Sequence, residues 1–362
     1  MYHLYYRSRV EFFNQSVKKE VLTIDKLVDF TTKKTYISLL NSCQVYSKDW
    51  LYMKLVESLA SIDKPFANAV VTIGNFDGVH KGHQALLGKV IDKAKEINGT
   101  SVAITFEPHP LRVLKNVSHP PLITIYEQKI ELLEKTGIDV LISIPFTKEF
   151  GEISANSFIE DLLVKTIGMK AIVVGQDYSF GKNRAGNIDL LKTSATEYGY
   201  ELIIPEWITA PNAEERVSST IIREIISAGE VEKAPALLGR YYQVRGQVVS
   251  GRDRGGKLLG FPTANLNLYD ELCPKTGVYA VTVETDDGNY NGVANLGYSP
   301  TFDDHLFTVE VHILNFNADI YNQNIRVNLV SKLRDEKKFS GIEELSEQIE
   351  KDIQTARKVL GD

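Results

Sequence analysis

The spacing of apolar residues divides most of the chain into two parts with different patterns. From Ala69 to about Gly239, short β-branched runs alternate with segments whose apolar residues recur at the 3.6-residue period of an amphipathic helix. Alternation of this kind predicts an α/β fold in which helices cover a parallel sheet. The predicted strands are Val70–Ile73, Val102–Phe106, Val140–Ile144, Ala171–Val174 and Leu202–Ile204.

Beyond Tyr241 the strand-like runs follow one another with turns, and no long helix lies between them. This pattern predicts an antiparallel β-barrel or sandwich. Apolar residues spaced by three and four from Ile342 to Leu360 predict a closing helix that packs on it. We therefore expect domains at residues 53–238 and 239–362. The predicted strands are Val244–Val249, Val278–Val283, Tyr290–Ala294, Thr308–Ile313 and Ile325–Val330.

Residues 1–52 share neither pattern, because they are rich in tyrosine and lysine and have no clear period. They form either an accessory segment or an upstream stretch that precedes a biological start at Met53. Met53 lies about twenty residues before the first glycine-rich turn, a normal lead-in for a first strand, and this favours the second interpretation.

Composition narrows the class of protein. The chain has 362 residues, of which 43% are hydrophobic, as in a soluble globular protein. It contains no apolar run of about eighteen residues and no signal-peptide pattern at its start, so we expect a cytoplasmic protein with no membrane partner. A net charge of −6 argues against a nucleic-acid partner. Cys43 and Cys273 are interpreted as two unrelated reduced thiols.

A glycine-rich turn, Gly74–His83, lies between the first predicted strand and a helix that begins near Gln84. Its three glycines let backbone amides come close to a bulky anion. His80 and His83 add donors that can become cationic beside a polyphosphate. The turn therefore favours a nucleotide triphosphate site, and an ordinary strand–helix turn is the alternative.

Three further polar clusters follow predicted strands or begin a helix, at Thr105–Pro110, Gly175–Gly186 and Val217–Arg223. Taken singly, they are also consistent with a proline-stiffened loop, a mobile surface loop and a helix N-cap. Ligands of parallel sheets bind beyond the carboxyl ends of the strands, where these clusters are expected.

Together, the four motifs closely resemble the FMN adenylyltransferase module of bacterial bifunctional riboflavin kinase/FAD synthetases, a Rossmann-like nucleotidylyltransferase fold. The resemblance implies that His80 and His83 are catalytic and that Phe106, Pro108 and Arg184 contact the flavin. It also implies an ATP site formed by Gly74, Asn75, Phe76, Asp77, Gly78, Asp177, Ser219, Thr220 and Arg223. The phosphate of FMN would attack the α-phosphorus of ATP. Because that phosphate is already ionised at neutral pH, no general base is required.

In the second part, the segment Gly246–Asn265 is rich in glycine and cations, which is typical of a phosphate-cradling loop. A mobile hairpin loop is one alternative; nucleic-acid binding is another, disfavoured by the lack of interleaved aromatic residues. Thr263 and Asn265 would point to one side of an extended segment, as a magnesium site requires. Glu310 lies in a predicted strand, where periodicity favours a solvated position over a role as a base.

These motifs resemble the riboflavin kinase module of the same family, a small antiparallel barrel. The resemblance implies that Thr263 and Asn265 bind Mg²⁺ and phosphate, and that Glu310 is the catalytic base. Asn315 stands where the family usually has aspartate, which puts a local contact in doubt. The implied kinase residues also include Gly251, Lys257 and Gly260 for ATP, and Asn295 and Arg334 for the flavin.

The sequence therefore predicts an enzyme that converts riboflavin to FMN and FMN to FAD, with ATP as co-substrate in both reactions. One alternative is that only one module is active, although motifs in both parts are intact. The other is a flavin-sensing regulator without turnover, which would have no use for the base Glu310.

Overall fold

The structure, a computed structural model, describes residues 53–114, 121–207, 216–249, 260–268, 271–298 and 307–362. All of them fall in the unit Met53–Asp362. The expectations for residues 1–52, for Cys43 and for the phosphate-loop residues Gly251 and Lys257 lie outside the described residues.

The first part is built on a six-stranded parallel sheet in the order β1-β4-β3-β2-β5-β6. It confirms the predicted parallel sheet and adds one short edge strand, β1. The strands are β1 (Lys54–Val56), β2 (Ala69–Ile73), β3 (Ser101–Glu107), β4 (Val140–Pro145), β5 (Met169–Val173) and β6 (Glu201–Ile203).

Helical segments cover both faces of this sheet because its strand residues alternate between the faces and are apolar on both. Val70 packs toward the helices Lys81–Glu96 and Tyr126–Glu134, whereas Val71 packs on the opposite side toward the π-helical segment Phe158–Ile167. The helices of this part are α1 (Lys81–Glu96), α2 (Pro110–Leu114), α3 (Tyr126–Glu134), α4 (Lys148–Gly151), α5 (Ala155–Ser157) and α6 (Ile188–Tyr198).

The second part is a closed antiparallel barrel in the order β10-β11-β8-β7-β12-β9, which confirms the barrel of the two predicted alternatives. Alternate residues of each strand fill its interior; on β11 these are Val309, Val311 and Ile313. The strands are β7 (Tyr242–Val249), β8 (Ala264–Asn267), β9 (Gly277–Thr285), β10 (Gly288–Tyr298), β11 (Phe307–Ile313) and β12 (Asn324–Arg334).

Helix α9 (Ile342–Leu360) packs on the outside of the barrel, as its apolar spacing predicts. Ala356 and Ile353 of this helix contact Val278, Ala280 and Val293 on strands β9 and β10. The N-terminus of the helix carries Glu343 and Glu344, and its last turn carries Arg357 and Lys358. Both placements stabilise the helix, because each charge is opposite in sign to the nearby end of the helix dipole.

Two helices connect the parts, α7 (Ser219–Ala228) and α8 (Ala234–Leu238). Their buried residues Ile222, Ile226 and Leu237 belong to the same apolar cluster as the interior of the barrel. Helix α7 therefore begins at the parallel sheet and packs on the barrel. The expected domain boundary at residues 238 and 239 stays a prediction.

Two observations concern the described residues as a whole. None of their helices combines the length and apolar character that a membrane crossing requires. Cys273 is a free thiol, and burial raises its pKa to about 11.

Candidate functional site

The first candidate site lies where the order of the parallel sheet reverses, between β2 and β5. Chain connections run to opposite sides at such a point and leave a crevice at the carboxyl ends of the strands. The Gly74–His83 turn follows β2, and the Gly175–Gly186 loop follows β5. The structure therefore brings two of the four sequence motifs to one crevice.

The turn after β2 is held by its own buried residues. Phe76 is 1% exposed, and its ring packs edge to face with that of His83, with 5.4 Å between ring centroids. The carboxylate of Asp77 accepts hydrogen bonds from the amides of Ile123 (3.0 Å) and Thr124 (3.0 Å). Both residues support the turn in this structure, and their predicted contacts with ATP stay predictions.

The two histidines of the turn stack on each other, with ring centroids 3.6 Å apart and planes at 17°. The Nδ1 atom of His80 caps α1 by accepting the amide of His83 at 3.3 Å. In the neutral ring the proton must then reside on Nε2. His80 can thus donate from Nε2 to a ligand oxygen.

Both imidazoles are neutral at pH 7. Burial lowers the pKa of His80 to about 4, and the nearby cations Arg240 and Arg216 act in the same direction. Burial also holds the pKa of His83 well below its ordinary value, and the neighbouring His80 lowers it further. These groups are suited to hydrogen bonding with an anion, and they are poor proton acceptors near neutral pH.

The start of α7 lies beside the same turn. Ser218 is the N-cap and accepts the amide of Ile221, as the structural alternative for this motif predicts. Ser219 donates its hydroxyl to the carbonyl of Asp77 at 2.9 Å. Arg223 forms a buried ion pair with the Asp77 carboxylate and donates to the carbonyl of Pro121 at 2.9 Å.

Thr220, also at the start of α7, is exposed toward solvent. An exposed residue at a helix N-terminus is compatible with an anion at this end. Arg223, by contrast, already has two protein partners. Its predicted contact with phosphate requires that this pairing be shared or exchanged.

A stacked cluster that the sequence motifs did not include lies beside the loop after β5, formed by Trp207, which follows β6, and Arg216, which precedes α7. Arg216 lies over the ring of Trp207, with its guanidinium carbon 4.3 Å from the ring centroid. The same guanidinium is 2.9 Å from the carboxylate of Asp177. Arg184, predicted to contact the flavin, donates to the Ser179 hydroxyl at 2.7 Å within this loop.

On the other side of the turn, Phe106 lies near the end of β3 beside two further aromatic residues. Its ring centroid lies 5.6 Å from that of Phe146 and 5.9 Å from that of Phe150. Pro108 follows in the loop that leads to α2. This aromatic surface and the Trp207 cluster follow strands on opposite sides of β2, so two flat rings could bind on either side of the phosphate turn.

The second candidate site lies on the outer face of the barrel. Cross-strand register places Asn265 of β8 opposite Glu310 of β11, and Glu310 opposite Asn295 of β10. The same row continues through Val278 of β9 to Arg334 of β12. Directly paired residues share one face of a sheet. Four of the predicted kinase residues therefore lie in a single row, which we call the polar row.

Helix α9 packs on β9, β10 and β12, and a cavity of about 320 Å³ lies between the helix and this row. Glu310, Asn295 and Arg334 of the row line the cavity, whereas Asn265 does not. The barrel side of the cavity carries the polar residues Glu310 and Thr263 beside the apolar Val278 and Val293, and the helix side carries Leu345, Ile349 and Ile353. A largely apolar cavity with a few polar groups on one side fits a flat ring that carries a hydroxylated chain.

Glu310 is half-buried in this cavity, which corrects the expectation from periodicity that it is solvated. The alternation does place it outside the barrel, but α9 covers that part of the outer face. Loss of water contact raises the pKa of its carboxyl above the ordinary value of 4.5. A raised pKa makes the carboxylate a stronger proton acceptor.

Arg334 is held at the edge of the cavity by Asp352 of α9. Its guanidinium donates from Nε and Nη2 to the carboxylate at 3.0 and 2.8 Å. Asn315 adopts a left-handed conformation, with φ of 55°, and accepts a hydrogen bond from Arg357 at 3.1 Å. Asparagine tolerates this conformation well. In place of the usual aspartate, its neutral amide oxygen contacts the guanidinium of Arg357 on α9.

The predicted magnesium ligands fit a hard cation. Thr263 and Asn265 provide neutral oxygen donors, and Mg²⁺ typically takes few protein ligands together with water and substrate phosphate. No cluster of three or more histidine, cysteine, aspartate or glutamate side chains that could hold a metal exists among the described residues. Gly260, three residues before Thr263, has φ of +80°, a left-handed conformation that favours glycine.

Sequence reasoning missed three residues of these sites: Arg216 and Trp207 at the first, and His312 at the second. His312 lines the cavity two residues after Glu310, on the same side of β11. The alternation on this strand could have found it. The stacking of Arg216 on Trp207 depends on the fold and had no signal in the sequence.

Two family models match the chain: FAD synthetase over residues 63–221 and riboflavin kinase over residues 238–360. The "Bifunctional riboflavin kinase/FMN adenylyltransferase" of Buchnera aphidicola subsp. Schizaphis graminum is 37% identical, and the match covers 84% of this chain and 98% of that protein. The protein of the same name from Listeria monocytogenes is 40% identical, with 80% and 92% covered.

A crystal structure of a Streptococcus pneumoniae protein described as a macrolide-efflux protein has the same fold. Its TM-score is 0.76 at 33% sequence identity, and the match covers 84% of this chain and 98% of that chain. Its description names a different activity from the curated relatives, and the likeness bears on the fold. From the matches to the curated relatives over nearly their whole length, this chain belongs to the family of bifunctional riboflavin kinase/FMN adenylyltransferases.

Proposed function

We propose that the barrel site phosphorylates riboflavin to FMN and that the parallel-sheet site adenylylates FMN to FAD, each with ATP. The observation that supports this assignment is the position of Glu310. It is a half-buried carboxylate with a raised pKa in a cavity that also contains Thr263. At the parallel-sheet site, Asp77 is a buried carboxylate, but it is already paired with Arg223.

In the kinase reaction, the terminal ribityl hydroxyl of riboflavin attacks the γ-phosphorus of ATP. The hydroxyl must lose its proton as the new O–P bond forms, and Glu310 accepts that proton. The bond between the γ-phosphorus and the β-bridging oxygen breaks, and ADP leaves. The apolar wall of α9 holds the ring, and Asn295 and Arg334 lie at the cavity surface where flavin polar groups can bind.

Mg²⁺ is the cofactor that this site would take. Thr263 and Asn265 would hold it, and the bound ion would neutralise charge on the ATP phosphates. Because both protein ligands are neutral, we expect the free protein to bind the metal weakly without nucleotide.

In the adenylyltransferase reaction, a phosphate oxygen of FMN attacks the α-phosphorus of ATP, and pyrophosphate leaves. The attacking oxygen carries no proton, so His80 and His83 need only donate hydrogen bonds to the phosphates. In this proposal Asp177 and Arg216 contact the adenosine, and Phe106 and Pro108 contact the flavin.

The low cysteine content favours a reducing compartment, and we expect the enzyme to act in the cytoplasm.

The test is to incubate the purified protein with riboflavin, ATP and Mg²⁺ and to resolve the flavins by chromatography over time. We expect FMN to form first and FAD to follow, with both reactions stopped by a chelator. FMN without FAD would refute the adenylyltransferase assignment. Unchanged riboflavin, together with FAD formation from supplied FMN, would refute the kinase assignment.

A further inference from the structure

His312 takes part in none of the roles described above, although it lines the kinase cavity. Its Nδ1 atom lies 2.8 Å from the carbonyl oxygen of Pro262. The ring of Phe261 meets it edge to face, with centroids 5.7 Å apart and planes at 90°. One imidazole therefore contacts the two residues that precede Thr263.

The chemistry of the partner fixes the state of this ring. A carbonyl oxygen only accepts hydrogen bonds, so Nδ1 of His312 must carry the proton. In the neutral imidazole the second nitrogen, Nε2, is then without a proton. The interaction is a directed N–H···O bond from a side chain of β11 to the main chain before β8.

The position of this bond matters because the backbone ladder stops just short of Thr263. The pairing of β8 with β11 runs through Leu266, Asn265 and Ala264, and its last pair joins Ala264 to Val311. Thr263 lies one residue beyond this pair. The bond from His312 holds Pro262 on the other side of Thr263, so the threonine is fixed from both directions.

We propose that His312 is a positioning residue for the kinase reaction. By holding the Pro262 carbonyl, it keeps the hydroxyl of Thr263 facing the cavity beside Glu310, where the phosphates of ATP and their magnesium ion would bind. The proposal rests on the kinase assignment above. His312 acts through Thr263 and transfers no proton itself.

This role has a defined kinetic signature. Loss of the bond frees the segment Phe261–Thr263 and weakens the binding of Mg²⁺ and ATP phosphates. Residues that orient metal ligands typically contribute about 10- to 100-fold to affinity or activity. For His312→Ala we expect a rise of this size in the KM for ATP and in the Mg²⁺ concentration that gives half-maximal rate. The KM for riboflavin should change much less, because the apolar wall of α9 is untouched.

Two isosteric variants separate the bond from the rest of the ring. The side-chain amide nitrogen of asparagine can occupy the place of Nδ1, whereas that of glutamine occupies the place of Nε2. His312→Asn should keep most of the wild-type affinity for ATP, and His312→Gln should resemble His312→Ala. Formation of FAD from supplied FMN by each variant gives an internal check of folding in the full chain.

The outcomes are decisive in either direction. A wild-type KM for ATP in His312→Ala, or equal losses in the asparagine and glutamine variants, would overturn the proposal. If His312→Ala also loses FAD formation, its fold is damaged, and the KM values for ATP of His312→Asn and His312→Gln then decide whether the proposal holds. Glu310→Gln, measured alongside, separates the hypothesis that Glu310 is the base from the hypothesis that His312 positions Thr263. If it remains an active kinase while His312→Ala is impaired, the assignment of the base fails and that of His312 stands.

Discussion

The two candidate sites handle the same co-substrate with different chemical groups. At the parallel sheet, the turn after β2 presents neutral imidazoles, and its buried carboxylate, Asp77, is paired with Arg223. At the barrel, the half-buried carboxylate of Glu310 lies in the cavity, and loss of water raises its pKa. The difference fits the proposed nucleophiles, since a phosphate attacks without losing a proton and a hydroxyl must lose one.

Burial shifts the pKa values at both sites in the direction that the proposed roles require. It favours the uncharged form of every ionisable group, so it keeps His80 and His83 neutral and makes Glu310 a stronger base. The same physical effect therefore gives donors at one site and an acceptor at the other. Variants that damage one site alone provide the sharpest test of this comparison.

The largest expected effect is that of Glu310→Gln. Removing a general base typically costs about 10²- to 10⁴-fold in rate, and glutamine keeps the shape of the side chain while it cannot accept the proton. FMN formation from riboflavin should fall by that factor, measured by chromatography of the flavins. FAD formation from supplied FMN should be unchanged. Loss of both reactions in a folded protein would contradict two separate sites.

The next largest effect is expected for His83→Ala. Loss of one donor to a developing charge costs about 10²- to 10³-fold in kcat, so FAD formation should fall by this amount. Riboflavin phosphorylation by the same preparation should match that of the wild type. An undiminished rate of FAD formation would remove His83 from the catalytic groups.

A smaller and graded effect is expected from pH. Glu310 must be ionised to act, and its pKa lies above 4.5, so kinase kcat/KM should decline as pH falls through this raised pKa. The adenylyltransferase reaction should also decline in acid, but through the second ionisation of the FMN phosphate, with pKa about 6. Profiles of both reactions between about pH 5 and 8 test this, and Glu310→Gln should alter only the first.

The smallest effect is expected where the two parts touch. Glu131 of α3 accepts hydrogen bonds from Arg245 of β7 at 2.9 Å and from Arg326 of β12 at 3.0 Å. These side chains are partly exposed, so Glu131→Ala should reduce the free energy of unfolding by only about 1 kcal/mol. Denaturant titration measures this, with Glu134→Ala on the same helix as the control.

Both activities of Glu131→Ala should stay at the wild-type level. A loss of FAD or FMN formation without loss of stability would show that the sites communicate through α3, and the picture of two independent centres would need revision.

The sequence predicts the fold well where patterns are local and repeated. Alternating β-branched runs identify the strands from β2 to β6, and the spacing in α9 identifies its apolar face. The short strands β1 and β8 escape this reasoning. β1 has three residues, and Ala264–Asn267 carries two asparagines and only two apolar residues. β1 is stabilised by pairing with the distant strand β4, and β8 by pairing with β7 and with the more distant β11.

The candidate sites are less accessible from sequence because they depend on register. The polar row joins residues from β8, β11, β10 and β12, and a shift of one residue in any pairing would turn its side chains to the other face. Glu310 shows the limit clearly. Its alternation with valines gives the face of the strand, and only the position of α9 makes that face a cavity.

Helix α7 constrains how this protein can be divided or recombined. Its first residues, Ser219 and Thr220, belong to the proposed adenylyltransferase site, whereas Ile222 and Ile226 are buried with the interior of the barrel. A gene cut on either side of this helix would leave one product without a phosphate-binding end or the other with an uncovered apolar surface. Fission of the gene into two single-activity proteins would thus require compensating substitutions on α7, whereas fused copies can change their sites separately.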